Sequence, residues 1–258
     1  MGTVIGVLIL AHLLVDFHLQ TDRLAREKDK HGFVMAEHIV TCFIVTLASC
    51  VILLGTGLWD GVLVALVASL AHLTIDSLIK RGLPERWTPW RRFAVDQVMH
   101  VLVLTILAFA RANALYNDDG WAFTEGNTLM LAVVASFLFV GRPVEIGVRI
   151  LLESLRNETA IEGQSELVID GKVSVADARS GRIIGILERI IVVFLTALGQ
   201  YPAIAFVIAA KSIARFKRFE EDPSFAETYL VGTLASVSAA MIGTALFLVA
   251  FLGRVSLV

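Results

Sequence analysis

MGTVIGVLILAHLLVDFHLQ, residues Met1–Gln20, decides the class of fold. Its apolar residues run almost unbroken for the ~20 positions that carry a helix across ~30 Å of hydrocarbon. It lacks a basic leader and a small-residue cleavage site, and it holds His12 and Asp16, so it reads as a retained helix rather than a signal peptide. Comparable runs follow at 33–54, 59–79, 93–110, about 128–140 and about 229–252. Composition agrees: 57% of the 258 residues are hydrophobic, 18% are charged, and the mean hydropathy is +0.76. An average soluble domain carries about 25% charge, and no soluble core of this length buries so much apolar side chain. The expected fold is all-α, a polytopic transmembrane helix bundle. A net charge of −2 excludes a basic nucleic-acid binder. Cys42 and Cys50 share one apolar run and read as inert small hydrophobes rather than a disulfide.

Basic residues fix the number of spans. Nineteen of the 22 Lys and Arg fall in loops 21–32 and 80–92 and in segments 142–182 and 211–225. The stretch 183–210 crosses once or twice, and Gly199-Gln200-Tyr201-Pro202 carries turn chemistry at its middle. A hairpin puts all four basic segments on one face, as the positive-inside rule requires. Eight spans with both termini outside are expected, or seven if 183–210 crosses once. Residues 1–112 form a four-helix membrane domain. Residues 113–180 supply a short span, an interfacial helix and a polar linker, and 181–258 a membrane hairpin and the final span. The interfacial helix is expected at 144–156, where Glu145, Arg149, Glu153 and Arg156 make one polar stripe. Within the linker 157–180, Asp170-Gly171 suggests a small hairpin turn. The sequon Asn157-Glu158-Thr159 is discounted because it falls on the cytoplasmic side. Glu188 and Lys211, each six residues from a flanking basic residue, are expected to pair structurally.

Ionisable groups within spans are costly and mark function. All six histidines lie in the first 100 residues. His12 and Asp16 are four apart, as are His72 and Asp76, and Asp96 and His100 repeat the pair in reverse. Residues four apart share one helix face. His12, His38, His72 and His100 each lie eight residues from Gln20, Lys30, Lys80 and Arg92 respectively. At 1.5 Å per residue all four sit about 12 Å below the same face, with the aspartates about 6 Å shallower. The reversal at Asp96 and His100 is what an oppositely directed helix needs. One site is expected, near the cytoplasmic leaflet, with His12, Asp16, His38, His72, Asp76, Asp96 and His100 as metal-ligand candidates. Imidazole and carboxylate suit a divalent transition metal, zinc first, with manganese, iron or nickel as alternatives. Asp96 or Glu37 is the candidate general base. Gln20 and Gln97 stand where they can hydrogen-bond a ligand carboxylate, and Lys28 and Lys80 where they can meet a phosphate. His18 and His31 read as boundary residues.

AHLLVDFHLQ (Ala11–Gln20), Lys28, His38, AHLTIDSLIK (Ala71–Lys80) and VDQVMH (Val95–His100) together resemble the bacterial membrane family called domain of unknown function 3307. The resemblance covers about residues 1–110. GRIIGILER (Gly181–Arg189) and AAKSIARF (Ala209–Phe216) resemble a C-terminal region that accompanies some members. The resemblance implies a bacterial inner-membrane location and supplies no activity.

Three functions compete on the residues alone. A metal-dependent hydrolase of a lipid or membrane-embedded substrate fits a site near the headgroups. A non-catalytic scaffold or sensor would use the site structurally, with linker 157–180 contacting a protein partner. A divalent-cation or proton transporter would use the His and Asp residues as its pathway, but such sites usually lie at the midplane. Membrane lipids are expected partners, and a homo-oligomer is compatible with the sequence.

Overall fold

The computed structural model describes residues 1–27, 31–79, 82–84, 86–115, 120–161 and 175–254. Among these the chain is mostly helical, with no strand. The helices are α1 (Gly2–Leu19), α2 (Asp22–Glu27), α3 (Gly32–Leu53), α4 (Leu58–Thr74, extended by Ile75–Ile79) and α5 (Pro89–Ala110). They are followed by α6 (Glu125–Val140), α7 (Arg142–Ile161), α8 (Val175–Ala197), α9 (Tyr201–Ile213), α10 (Phe216–Glu221) and α11 (Pro223–Leu252). Six helical runs are long and apolar enough to cross a membrane: α1, α3, α4, α5, the joined run Glu125–Asn157, and α11. The expected turn at Gly199 is present: Gly199 takes φ +67, a left-handed conformation, and separates α8 from α9. With 13 residues, α9 is about 20 Å long, the shortest of the apolar arms.

Helix boundaries follow local chemistry. Thr88 caps α5 by accepting the Arg91 amide at 3.4 Å, and Pro89 occupies the first turn, where a missing N–H costs nothing. Asp222 starts α11 in the same way. It accepts the Phe225 amide at 3.0 Å and the Ser224 hydroxyl at 2.8 Å. Those bonds, the Phe225 amide first, hold its carboxyl below the ordinary value. The short span expected at about 128–140 does end at Val140, but α7 begins at Arg142. The expected interfacial helix 144–156 lies within α7. The expected turn at 170–171 lies outside the described residues, as do Lys28 and Lys80.

The chain divides into two compact units: Met1–Leu138 with Phe247–Gly253, and Phe139–Leu246. In the first unit α1 packs on α3 and α5, and α4 packs on α3 and α5, so the four helices close a ring. Its outward faces carry exposed Val40, Ile44, Leu66, Leu70, Ile106 and Phe109. An apolar exterior around a polar centre inverts the soluble pattern and suits hydrocarbon solvent. The end of α11 seals α1 at two glycines. A Cβ on Gly6 would stand 2.7 Å from the Phe251 ring, and one on Gly2 would collide with the Ala250 carbonyl oxygen. In the second unit Lys211 pairs with Glu188, as the depth argument expected, and its Nζ also lies 3.3 Å from the Thr233 hydroxyl.

Gly6→Val is expected to destabilise the detergent-solubilised protein by about 1–3 kcal/mol through overpacking against Phe251. Gly32→Ala, where a Cβ meets nothing within 4 Å, should leave the melting temperature unchanged or slightly raised. Equal losses in thermal denaturation would show that the α1–α11 approach is not tight.

Candidate metal centre

The ring of α1, α3, α4 and α5 brings all seven candidate ligands to its axis. His12, His38, His72, His100, Asp76 and Asp96 are each at most 6% exposed, and the Asp16 side chain is 8% exposed. His38 and His72 approach through their Nε2 atoms at 2.9 Å. Asp16 Oδ1 stands 3.3 Å from His72 Nε2 and 3.5 Å from His38 Nε2. Asp76 Oδ2 stands 3.6 and 3.8 Å from the same two nitrogens. The His12 and His100 rings stack at 4.7 Å, and His72 lies 4.3 Å from His100.

Local backbone helps aim these groups. Asp16 lies in a π-helical turn, Leu14–Leu19, and Asp76 in another, Ile75–Ile79. Each follows the α-helical turn that holds its histidine partner. A π turn takes an extra residue per turn and is common at functional sites. The Gln20 amide closes the first by bonding the Val15 carbonyl at 3.1 Å. The span bearing Asp96 and His100 stays α-helical.

His100 carries the most specific information. Its Nδ1 donates to the Asp96 carbonyl at 2.9 Å, which places the proton on Nδ1. Its Nε2 is therefore a lone pair. That atom is buried and has no hydrogen-bond partner among the described residues. This is how a metal-binding histidine is held, with one ring nitrogen fixed by backbone and the other left to coordinate. Gln97 supports the same side: its Nε2 donates to Asp96 Oδ2 at 3.0 Å, and its Oε1 faces His12 Nε2 at 3.4 Å.

Most of the His–Asp separations, 3.3–3.9 Å, exceed good hydrogen-bond lengths. The groups encircle a common space more than they satisfy one another. Three overlapping sets have ligand atoms all within 4.8 Å of one another: His12, Asp16, His72 and His100; His38, His72 and Asp76; and Asp76, Asp96 and His100. Ligands at ~2.0–2.1 Å from one zinc lie no more than about 4.2 Å apart, so an ion would draw the widest pairs slightly inward. A dication would also offset three buried carboxylates. Beside the histidines lies a cavity of about 20 Å³, lined by His12, His72, His100, Cys42 and Thr46 among others. That is room for about one water.

The structure does not bring Glu37 into these sets. Its carboxylate pairs with Arg23 at 2.8 Å on the exposed side of α3. Adjacent residues on a helix point about 100° apart, so a place next to His38 in sequence does not put Glu37 on the same face. His18 bonds the Leu138 carbonyl at 3.1 Å, and His31 precedes α3 as its N-cap; neither belongs to these sets. Cys42 and Thr46 were not singled out as site residues. The signal was present, since they follow His38 at four-residue steps.

Comparison with known families places this region. Residues 4–124 match the family model described as protein of unknown function (DUF3307). This segment is similar to the DUF3307 family. The match takes in all seven candidate ligands and extends the likeness seen in the motifs a little beyond α5. No curated protein and no solved structure matches the chain.

Within the DUF3307-like region, Gln97→Leu removes a donor from the buried Asp96 carboxylate. It is expected to cost about 1–3 kcal/mol, visible as a lower melting temperature. A neutral result would mean that Gln97 does not support the centre.

Proposed function

We propose that the DUF3307-like region binds a divalent transition metal, zinc first, and uses it to activate a water for hydrolysis of a lipid or another membrane-embedded substrate. The observation that carries the metal is the buried, unpartnered Nε2 of His100, fixed as an acceptor by the Nδ1 bond to Asp96. His12, Asp16, His72 and His100 form the most complete ligand set, with His38, Asp76 and Asp96 beside it. The one-water cavity against His12, His72 and His100 supports the catalytic half of the reading. A metal held there by His12, His72 and His100 would supply the Lewis acidity that activates a water near neutral pH. Asp96, a carboxylate of the same cluster, is the proposed base, and Glu37 has no part in the reading because Arg23 holds it at the surface. The basic segments support a centre in the cytoplasmic leaflet of a bacterial inner membrane, with both termini outside.

A structural site in a scaffold or sensor is the second reading. What favours it is enclosure: no ligand side chain is more than 8% exposed, and the cavity admits a water but no substrate.

The purified protein is expected to retain at least one equivalent of transition metal by elemental mass spectrometry. His72→Ala and His100→Ala should each lower metal affinity at least tenfold. Retention of the metal in both variants would reject the centre. Chelation then separates the two readings. A structural metal in large excess over its Kd contributes about 4 kcal/mol, so a collapse in melting temperature on chelation, without any lipid turnover by the loaded protein, would favour the scaffold.

A further inference from the structure

The second unit has its own polar cleft, and nothing in the metal centre depends on it. Its volume is about 520 Å³, within the usual range of ligand sites. One wall is α7, through Glu145, Val148, Arg149, Leu152 and Glu153, and the other is α8, through Gly181, Gly185 and Arg189. Three residues of the polar stripe read from the sequence therefore line this cleft. A stripe meant only to face water would need no opposite wall.

Arg189 is the unusual member. It is only 7% exposed, yet it lines the cleft. Its Nε is buried and meets no acceptor among the described residues. Of the carboxylates that act on it, Glu145 lies on the facing wall, and its own neighbour Glu188 is engaged by Lys211. Gly185 makes room for the guanidinium: a Cβ there would stand 3.4 Å from Arg189 Nη1. Gly181 leaves the mouth of the same wall open, since a Cβ there would meet nothing within 4 Å. A buried guanidinium with an unused donor, set behind two glycines, suits an anionic group with several acceptor oxygens.

Surroundings narrow the ligand. Arg149 adds a second guanidinium, and Glu145 and Glu153 add carboxylates on the same wall. Two cations beside two anions suit a zwitterion better than a simple anion. The rest of α8 near the cleft exposes Ile183, Ile184 and Leu187 at 44–54%, an apolar surface of the kind that lies against acyl chains. We propose that this cleft holds the headgroup of a zwitterionic phospholipid, its phosphate on Arg189 and Arg149 and its ammonium toward Glu153.

The test uses the full chain in a non-ionic detergent, read by native mass spectrometry. Added probes are short-chain phosphatidylethanolamine, diacylglycerol as the phosphate-free partner, and inorganic phosphate. Wild type is expected to retain phosphatidylethanolamine and not diacylglycerol. Arg189→Gln and Gly185→Leu should each weaken retention at least tenfold. Gly185→Leu leaves the charge in place and fills the space before it, so it carries the test alone if Arg189→Gln fails to fold. Retention equal to wild type in either folded variant, or equal retention of diacylglycerol, would overturn the proposal. Displacement of the lipid by millimolar inorganic phosphate would overturn the lipid source by assigning the cleft to free phosphate.

Discussion

The arrangement depends on one constraint: ionisable groups removed from water must be compensated inside the bundle. Seven His and Asp side chains meet on the axis of α1, α3, α4 and α5, in a unit whose outer faces are apolar. Leaving them unsatisfied would cost more than the helix packing gains. The packing follows from that need. Asp16 and Asp76 enter through π turns, Asp96 from the α-helical α5, His100 is locked by a backbone carbonyl, and Gln97 bridges Asp96 toward His12. The His–Asp distances among them are long for hydrogen bonds, and the same groups could hold a shared ion.

The two units answer the same constraint differently. In the first, buried charge is gathered at one point. In the second, it is divided: Glu188 and Lys211 neutralise each other, while Arg189 is left beside an open cleft. An ion pair between neighbouring helices needs no ligand. A buried guanidinium with an unused donor asks for one, and the glycines of α8 keep the approach clear.

Much of this was legible in the sequence, because depth and helical periodicity are counting arguments. Four histidines eight residues from a common boundary had to meet if the helices packed, and they do. The Glu188–Lys211 pair came from the same arithmetic. Counting says nothing about how the backbone adapts. The π turns at Asp16 and Asp76 are a tertiary choice, because the sequence would also close as an α-helix. Glu37 misled for the opposite reason: adjacency in sequence resembled adjacency in space, but its carboxylate turns outward to Arg23. The cleft beside Arg189 was invisible because it needs the position of α7 against α8, which no periodicity supplies.

X-ray absorption at the edge of the bound metal tests the central claim most directly, because it reads the first coordination shell without reference to any reaction. The account predicts nitrogen and oxygen ligands at about 2.0–2.1 Å, with the outer-shell scattering of at least two imidazoles, and loss of one imidazole in His100→Ala. A sulfur shell near 2.3 Å, a shell of water oxygens alone, or a spectrum unchanged in that variant would contradict it.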